Sequence, residues 1–350
     1  MKDTDKKVNE VSHSQAGVIG NGAKIDGGVH IHNHHYSSSE TASAEPKKSI
    51  QKSNQPQANI LHLSDLHFGT AADAKKWYSQ LADDLTLELK CSTLDALILS
   101  GDIANLSEPG EYDAAKDFID RLCKGFKLEP DRLVIVPGNH DLNWKLAKKG
   151  YSLIDRDEYE GELVKGKFIE VADDVVRIRD EKKYKLRFEH FSRFYESVKG
   201  RPYPAGYASQ GIFTHIPDLN LLIAGFNSAW ELDHYFKTRA SICPDAVTQA
   251  LDILREQEKF RTCLKFAVWH HPLAELGDQE FMQRLAQCGF SVCFHGHIHK
   301  ADTGLYMYDQ NIDGRNINLV GAGTFGAPVK EWAPGYPLQY NLIQTSESIA

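Results

Sequence analysis

Six apolar runs, each ending in polar residues, alternate with amphipathic stretches: "NILHLSD", "LDALILSGD", "RLVIVPGNHD", "LNLLIAGFNS", "LKFAVWHHP" and "FSVCFHGHIH". Short apolar runs closed by turn residues read as buried strands. After the first run, Trp77, Leu81, Leu85 and Leu89 recur every four residues and predict one helical stripe. Tyr112, Ala115, Ile119 and Leu122 predict a second. A third opens at Pro244, a favoured first helical position, and runs through Val247, Leu251 and Leu254. Strand-then-helix repetition restricts the chain to an α/β domain with helix-covered sheets.

Residues 1–57 break this rhythm. They are polar, end in the linker-like "EPKKSIQKSNQPQ", and read as a flexible N-terminal segment. Within it, "AKI" and "VHI" flank Asp26-Gly27-Gly28 and predict a short hairpin inside 17–36. His30, His32 and His34 would share one face of it. The plain reading is a short edge strand; adventitious metal binding and self-association are the sharper ones. The domain proper is expected over 58–345, with 346–350 as a tail. A stretch at about 141–205, dense in charges of both signs, reads as an insertion covering one edge of a cleft. In it "RFEHFSRFYESV" reads as a helix with Phe188, Phe191 and Tyr195 on one side.

The composition, 41% hydrophobic and 25% charged, suits a chain that buries a sizeable core. A net charge of -8 disfavours loose binding to nucleic acid or to an anionic membrane. The six cysteines form no C-x-x-C pair and sit mostly in apolar stretches, as reduced cytosolic thiols do. "MKDTDKKVNE" has no apolar signal region and no run is long enough to span a membrane, so a cytoplasmic protein is expected.

The run ends carry the chemistry. Asp65 and His67 follow the first, Asp102 the second, and Asn139, His140 and Asp141 the third; His270 and His271 follow the fifth, and His297 and His299 the sixth. Taken singly, D-x-H or Gly-Asp is an ordinary strand terminus. Together they are metal-capable side chains delivered at five strand ends, where open α/β sheets bind ligands. His295, His297 and His299 alternate, and would point one way if their strand continued.

The series "SDLHFG", "SGDIAN", "PGNHD", "WHHP" and "HGHIH" resembles the calcineurin-like metallophosphoesterase superfamily, in particular its bacterial phosphodiesterase-like members, over about residues 58–345. The resemblance implies a four-layer α/β/β/α sandwich of two mixed sheets with flanking helices. It implies a first metal held by Asp65, His67 and His299, a second held by Asn139, His270 and His297, and Asp102 bridging the two. His140 would stay off the metals and act near the leaving group, with Asp141 orienting it. Asn105 stands where the family often has Asp, at a position that is not a ligand in the family. His271 would either contact substrate or face away on the other side of its strand, the second reading being preferred, and His295 is expected to be a buried, hydrogen-bonded residue behind the ligands.

The cofactors expected are two divalent transition-metal ions, Mn, Fe or Zn, since mixed His, Asp and Asn ligands do not select among them. Metal binding lowers the pKa of a bridging water, so hydroxide exists near neutral pH. Two dications, two carboxylates and one hydroxide sum to plus one, which a phosphodiester monoanion nearly neutralises. The expected function is therefore hydrolysis of phosphate esters, phosphodiesters of small nucleotide type before others. A metal-dependent nuclease is the alternative, disfavoured by the acidic total. A non-catalytic binding or scaffolding module is the third reading. The expected partner is the ester substrate, with no membrane, and the N-terminal segment is the place for self-association or partner binding.

Overall fold

The computed structural model describes residues 58–308, 316–328 and 338–345, together with the backbone of 23–25 and 29–36. Strands and helices are numbered in chain order. The first sheet contains β1 (Ala23–Ile25), β2 (Val29–Tyr36), β3 (Ala58–Leu63), β4 (Ala96–Leu99), β5 (Leu133–Ile135) and the late strand β15 (Leu338–Thr345). Its order is β1-β2-β15-β3-β4-β5, parallel across β3, β4 and β5 and antiparallel elsewhere. The second sheet contains β9 (Gly211–Ile216), β10 (Leu221–Phe226), β11 (Leu264–Val268), β12 (Phe290–His295), β13 (Asp302–Met307) and β14 (Asn316–Gly321). Its order is β13-β14-β12-β11-β10-β9, with β10, β11, β12 and β14 parallel.

Alternation along each strand separates two apolar faces. Between the sheets, Ile60, Ile98 and Val134 meet Ile223, Phe266, Val268 and Phe294 in one buried cluster. On the far face of the first sheet, Leu61, Leu97 and Leu99 pack under α1 (Ala71–Asp83), α2 (Pro109–Phe126) and α5 (Glu189–Lys199). On the far face of the second, Leu222, Ala224 and Ala267 pack under α6 (Pro244–Glu256) and α7 (Glu280–Gln287). The result is the four-layer α/β/β/α sandwich. Trp77, Leu81 and Leu85 are buried along the first predicted stripe, and α6 starts at Pro244. The six cysteines are free thiols, four of them buried.

The predicted hairpin strands pair with each other, and β2 pairs along its whole length with β15. The rest of the N-terminal segment, 1–22, 26–28 and 37–57, and the tail 346–350 lie outside the described residues.

The charged stretch divides into two parts. Its first part forms α3 (Trp144–Lys149), a three-stranded antiparallel sheet of β6 (Tyr151–Asp155), β7 (Phe168–Ala172) and β8 (Val175–Arg179), and α4 (Glu181–Lys185). Its last helix, α5, joins the helical layer of the first sheet instead of covering a cleft edge: Phe191, Phe194 and Tyr195 share the cluster of Tyr112 and Phe118. Phe188 leaves that stripe because a tight turn, Leu186–Phe188, precedes α5; it packs with Leu142, Ala229 and Leu232.

Two contacts tie the inserted part to the loop after β10. Arg187 is fully buried, and its guanidinium donates to the carbonyls of Tyr184 (2.9 Å), Leu232 (3.2 Å) and Trp230 and to the Tyr207 hydroxyl. Tyr151 donates its hydroxyl to Asp233 Oδ2 at 2.6 Å. Together they fix residues 230–233 as a wall beside the carboxyl edge of both sheets.

Candidate metal centre

The parallel strands all end at one edge, so the polar residues after them converge. Asp65 and His67 follow β3, Asp102 follows β4, Asn139 follows β5, His270 follows β11, and His297 and His299 follow β12. A straight continuation would splay these side chains apart. The backbone turns sharply instead: Asp65, His67, Asp102, His297 and His299 have φ of 53°, 43°, 52°, 73° and 54°. They are five of the nine non-glycine residues with positive φ among the described residues. That left-handed region costs an L-residue roughly 1–2 kcal/mol each, and such strain persists where a site over-determines it. The expected alternation of three histidines on one face therefore does not occur. β12 stops at His295, and the bent turn sends His297 and His299 to different groups.

Two glycines make the approach possible. A Cβ on Gly138 would stand 2.2 Å from Asp102 Oδ1, and one on Gly101, whose φ is +100°, 2.6 Å from His270 Nδ1. Backbone bonds lock the loops together, with Asp65 N–H donating to the Gly101 carbonyl (3.1 Å) and His67 N–H to that of Asp102 (3.0 Å).

The side chains fall into two groups that share Asp102. In one, His299 Nε2 lies 3.2 Å from Asp65 Oδ1, and His67 Nε2 lies 3.9 Å from both Asp65 Oδ1 and Asp102 Oδ2. In the other, Asp102 Oδ2, Asn139 Oδ1 and His297 Nδ1 stand 3.1, 3.2 and 3.2 Å from His270 Nε2. Asp102, expected to bridge the two metals, lies within reach of both groups. Its Oδ2 lies 3.9 Å from His67 Nε2 and 3.1 Å from His270 Nε2, while Oδ1 accepts from the His140 backbone N–H at 2.7 Å.

Electrostatics asks for cations here. His270 Nδ1 donates to the Ser100 carbonyl at 2.7 Å, so the neutral ring turns a lone pair toward three acceptor atoms. Burial would lower the His270 pKa, yet the Asp102 carboxylate beside it pushes it up to about 9, as though a proton filled the place of a larger ion. Burial opposes ionisation of Asp102 as well, and the surrounding imidazoles, His270 foremost, hold its carboxyl well below the usual range. Asp65 and Asp102 are both essentially inaccessible to water. Two buried carboxylates, four imidazoles and an amide oxygen are a donor set that fits divalent transition-metal ions.

The residues around these groups orient them. His297 presents Nε2 to Glu275 Oε2 at 3.2 Å, which leaves Nδ1 for the second group. His140 donates Nδ1–H to the Asn105 carbonyl at 2.7 Å, which leaves Nε2 at the rim. Asp141 does not orient His140, contrary to expectation. Its carboxylate accepts from the backbone N–H groups of Gly138 (2.9 Å), Ile103 (3.3 Å) and Ala104 (3.1 Å) and from the Tyr112 hydroxyl (3.0 Å), tying the loops after β4 and β5 together. Burial, then the charge of Asp102, pushes its pKa up to about 6. His295 is buried with Nδ1 on the Gly296 carbonyl at 3.2 Å. His271 was expected to face away; it is buried against Ser228, its ring 4.7 Å from that of His297, and it lines the adjoining cleft. Sequence reasoning missed Glu275, Ser228, Trp144 and the Asn105 carbonyl. Of these only Ser228 carried a signal, as the last residue of an apolar run.

Two clefts meet at Asn139. The larger, about 490 Å³, is lined by His271, His297, Glu275, Asp233, Lys237 and Trp144. The smaller, about 260 Å³, is lined by His140, Asn105, Leu106, Leu142, Asn143 and Trp144. Trp144 lines both, and Lys237 Nζ lies 5.1 Å from the centre of its ring.

The family model described as calcineurin-like phosphoesterase matches residues 58–301. An uncharacterized metallophosphoesterase-like protein of Bacillus subtilis (strain 168) is 29% identical over 93 residues, which cover 26% of this chain and 19% of that one, so the match spans about a fifth of the relative's length. Among solved structures, a purple acid phosphatase from yellow lupin (Lupinus luteus) seeds aligns at 13% identity and a TM-score of 0.45, covering 89% of this chain and 52% of that one. A conserved uncharacterized protein from Streptococcus pneumoniae TIGR4 aligns at 12% identity and a TM-score of 0.23, covering 82% of each.

Proposed function

The chain belongs to the calcineurin-like phosphoesterase family, and from that premise we propose that it is a binuclear metal-dependent phosphoesterase acting on phosphodiesters of small nucleotide type. The observation that carries the reading is the convergence of metal-capable side chains from five strand ends. In each of four overlapping triads of His and Asp side chains there, two of which also take in His140 or His271, the ligand atoms lie within 4.8 Å of one another. Asp65, His67 and His299 would hold one ion and Asn139, His270 and His297 the other, with Asp102 belonging to both sets. When bound, the two ions supply Lewis acidity toward phosphate oxygens and a water acidic enough to attack near neutral pH.

The chain's own residues do the rest. Two carboxylates against two dications leave the centre positively charged, which draws in an anionic ester. Glu275 and the Ser100 carbonyl hold His297 and His270 in one tautomer each, so neither ring must reorganise when the ligand set is completed. His140 is fixed through Nδ1, and its Nε2 is the atom able to hand a proton to the leaving oxygen. The buried Asp141 keeps the His140 loop seated against the loop that carries Asp102. Two clefts meeting at Asn139 support a diester, since a diester carries two organic arms and a monoester one.

The test is hydrolysis of bis(p-nitrophenyl) phosphate by the protein with added manganese. We expect turnover that Asp102→Ala reduces by at least about a thousandfold, since that substitution removes a group shared by both halves of the centre. Activity in the wild-type protein no greater than in Asp102→Ala would overturn the proposal. A parallel panel of cyclic nucleotides, linear dinucleotides, phosphomonoesters and DNA identifies the ester class, and a preference for monoesters or DNA would reject the diester assignment.

A further inference from the structure

Resting on the reading above, we propose that His271 is a substrate-binding residue whose Nε2–H donates a hydrogen bond to a phosphate oxygen of the bound ester, and that Ser228 is the positioning residue that fixes this proton. His271 itself is 2% exposed and lines the larger cleft. Its Nδ1 lies 2.8 Å from Ser228 Oγ, and no hydrogen bond to its Nε2 occurs among the described residues.

The tautomer follows from counting the lone pairs on one hydroxyl. Ser228 Oγ accepts from the backbone N–H of His270 at 3.1 Å and from that of His271 at 3.2 Å. Two lone pairs are then filled, and the hydroxyl has only its own proton left to offer. That proton goes to His271 Nδ1, which therefore accepts, and a neutral imidazole with an accepting Nδ1 carries its hydrogen on Nε2. The same count separates His271 from its metal-capable neighbours His270 and His297. If Nε2 took a metal, Nδ1 would carry the hydrogen and Ser228 would have to accept a third donor while its own proton went unpaired. His270, by contrast, donates Nδ1–H to a carbonyl and leaves Nε2 bare.

Position makes this donor useful. The ring of His271 packs 4.9 Å from that of His270 and 4.7 Å from that of His297, so it stands beside the second group of ligands on the side facing the larger cleft. His140 lines the other cleft. A phosphate seated at Asn139 would have an imidazole on each side, one at the leaving oxygen and one on an oxygen that stays.

Two amides separate the roles of the ring nitrogens. His271→Asn places its amide near Nδ1 only, whereas His271→Gln carries an N–H donor to about the position of Nε2. With the manganese-loaded protein, we expect His271→Asn to raise KM for bis(p-nitrophenyl) phosphate and weaken competitive inhibition by inorganic phosphate, each about tenfold or more. We expect kcat to change less. His271→Gln should stay within about threefold of wild type, and both variants should hold as much metal as wild type by mass spectrometry. Ser228→Ala should shift KM in the same direction as His271→Asn by a smaller factor. Unchanged KM and phosphate inhibition in His271→Asn, equal losses in the Asn and Gln variants, or loss of metal from either would overturn the assignment. A wild-type protein that takes up no metal and turns over no ester would instead overturn the function itself, and this role with it.

Discussion

His140 takes its orientation from a carbonyl, not from the carboxylate next to it in the chain. A carbonyl only accepts, so the ring's Nδ1 hydrogen is fixed whether or not Nε2 is protonated. Substituting His140 by Ala should therefore lower kcat by about 10²–10⁴-fold, the range for removing a positioned acid, with little change in metal content. Comparing kcat for esters with good and poor leaving groups checks the role. The loss should be larger for the poor one, and equal losses would count against proton donation. At this scale the sequence was informative where chemistry follows chain position. Asp65, His67, Asp102, Asn139, His270, His297 and His299 each sit at the end of an apolar run, and a strand end is visible in a sequence. What it could not convey was which atom faces which neighbour. Asp102 Oδ1 is taken by a backbone N–H and Asp141 is turned toward three others, both consequences of loops meeting in space. Glu275 lies in a short turn after β11 with no pattern to mark it.

Elements were legible to the extent that periodicity encodes them, and ambiguous where one stripe serves two packings. The helix "RFEHFSRFYESV" was readable; the layer it joins was not, because charged neighbours on both sides concealed that Phe191 and Phe194 pack beneath α2. The last turn of α5 offers a test of that docking. Lys199 Nζ donates to the carbonyls of Pro130 (2.6 Å) and Leu133 (2.7 Å). Burial, and then Arg201 nearby, pushes its ammonium pKa down to about 8. A base whose folded pKa lies below its unfolded value binds fewer protons when folded, so between about pH 8 and pH 10 stability should rise with pH. Urea midpoints across that window should climb for wild type relative to Lys199→Met, the difference cancelling the titration of tyrosines common to both. A gap that stays constant or narrows would mean that Lys199 is not desolvated in this way.

For the whole molecule, the centre joins the two sheets: Asp65, Asp102 and Asn139 come from the first, His270, His297 and His299 from the second. Ions held there act as a cross-link between halves of the sandwich, and any ligand that binds only the folded state stabilises it. Dialysis against a chelator should lower the melting temperature, and returning manganese should restore it in wild type but not in Asp102→Ala. A melting temperature indifferent to the chelator would argue that no ion bridges the sheets. The sandwich itself was legible from alternating runs and stripes. The sheet order was not, since no local pattern announces that β15 lies between β2 and β3.

That placement of β15 has a consequence for how the protein is made. The strand that fills the middle of the first sheet is its last to leave the ribosome, and both of its partners, β2 and β3, lie within the first 63 residues. Until Thr345 has been synthesised, one side of β3 waits as an open edge, and a contact spanning about three hundred residues closes the sheet last. Long-range closure of that kind is slow and exposes unpaired strand to neighbouring nascent chains. Removing β15 should accordingly yield insoluble chains rather than a smaller folded enzyme.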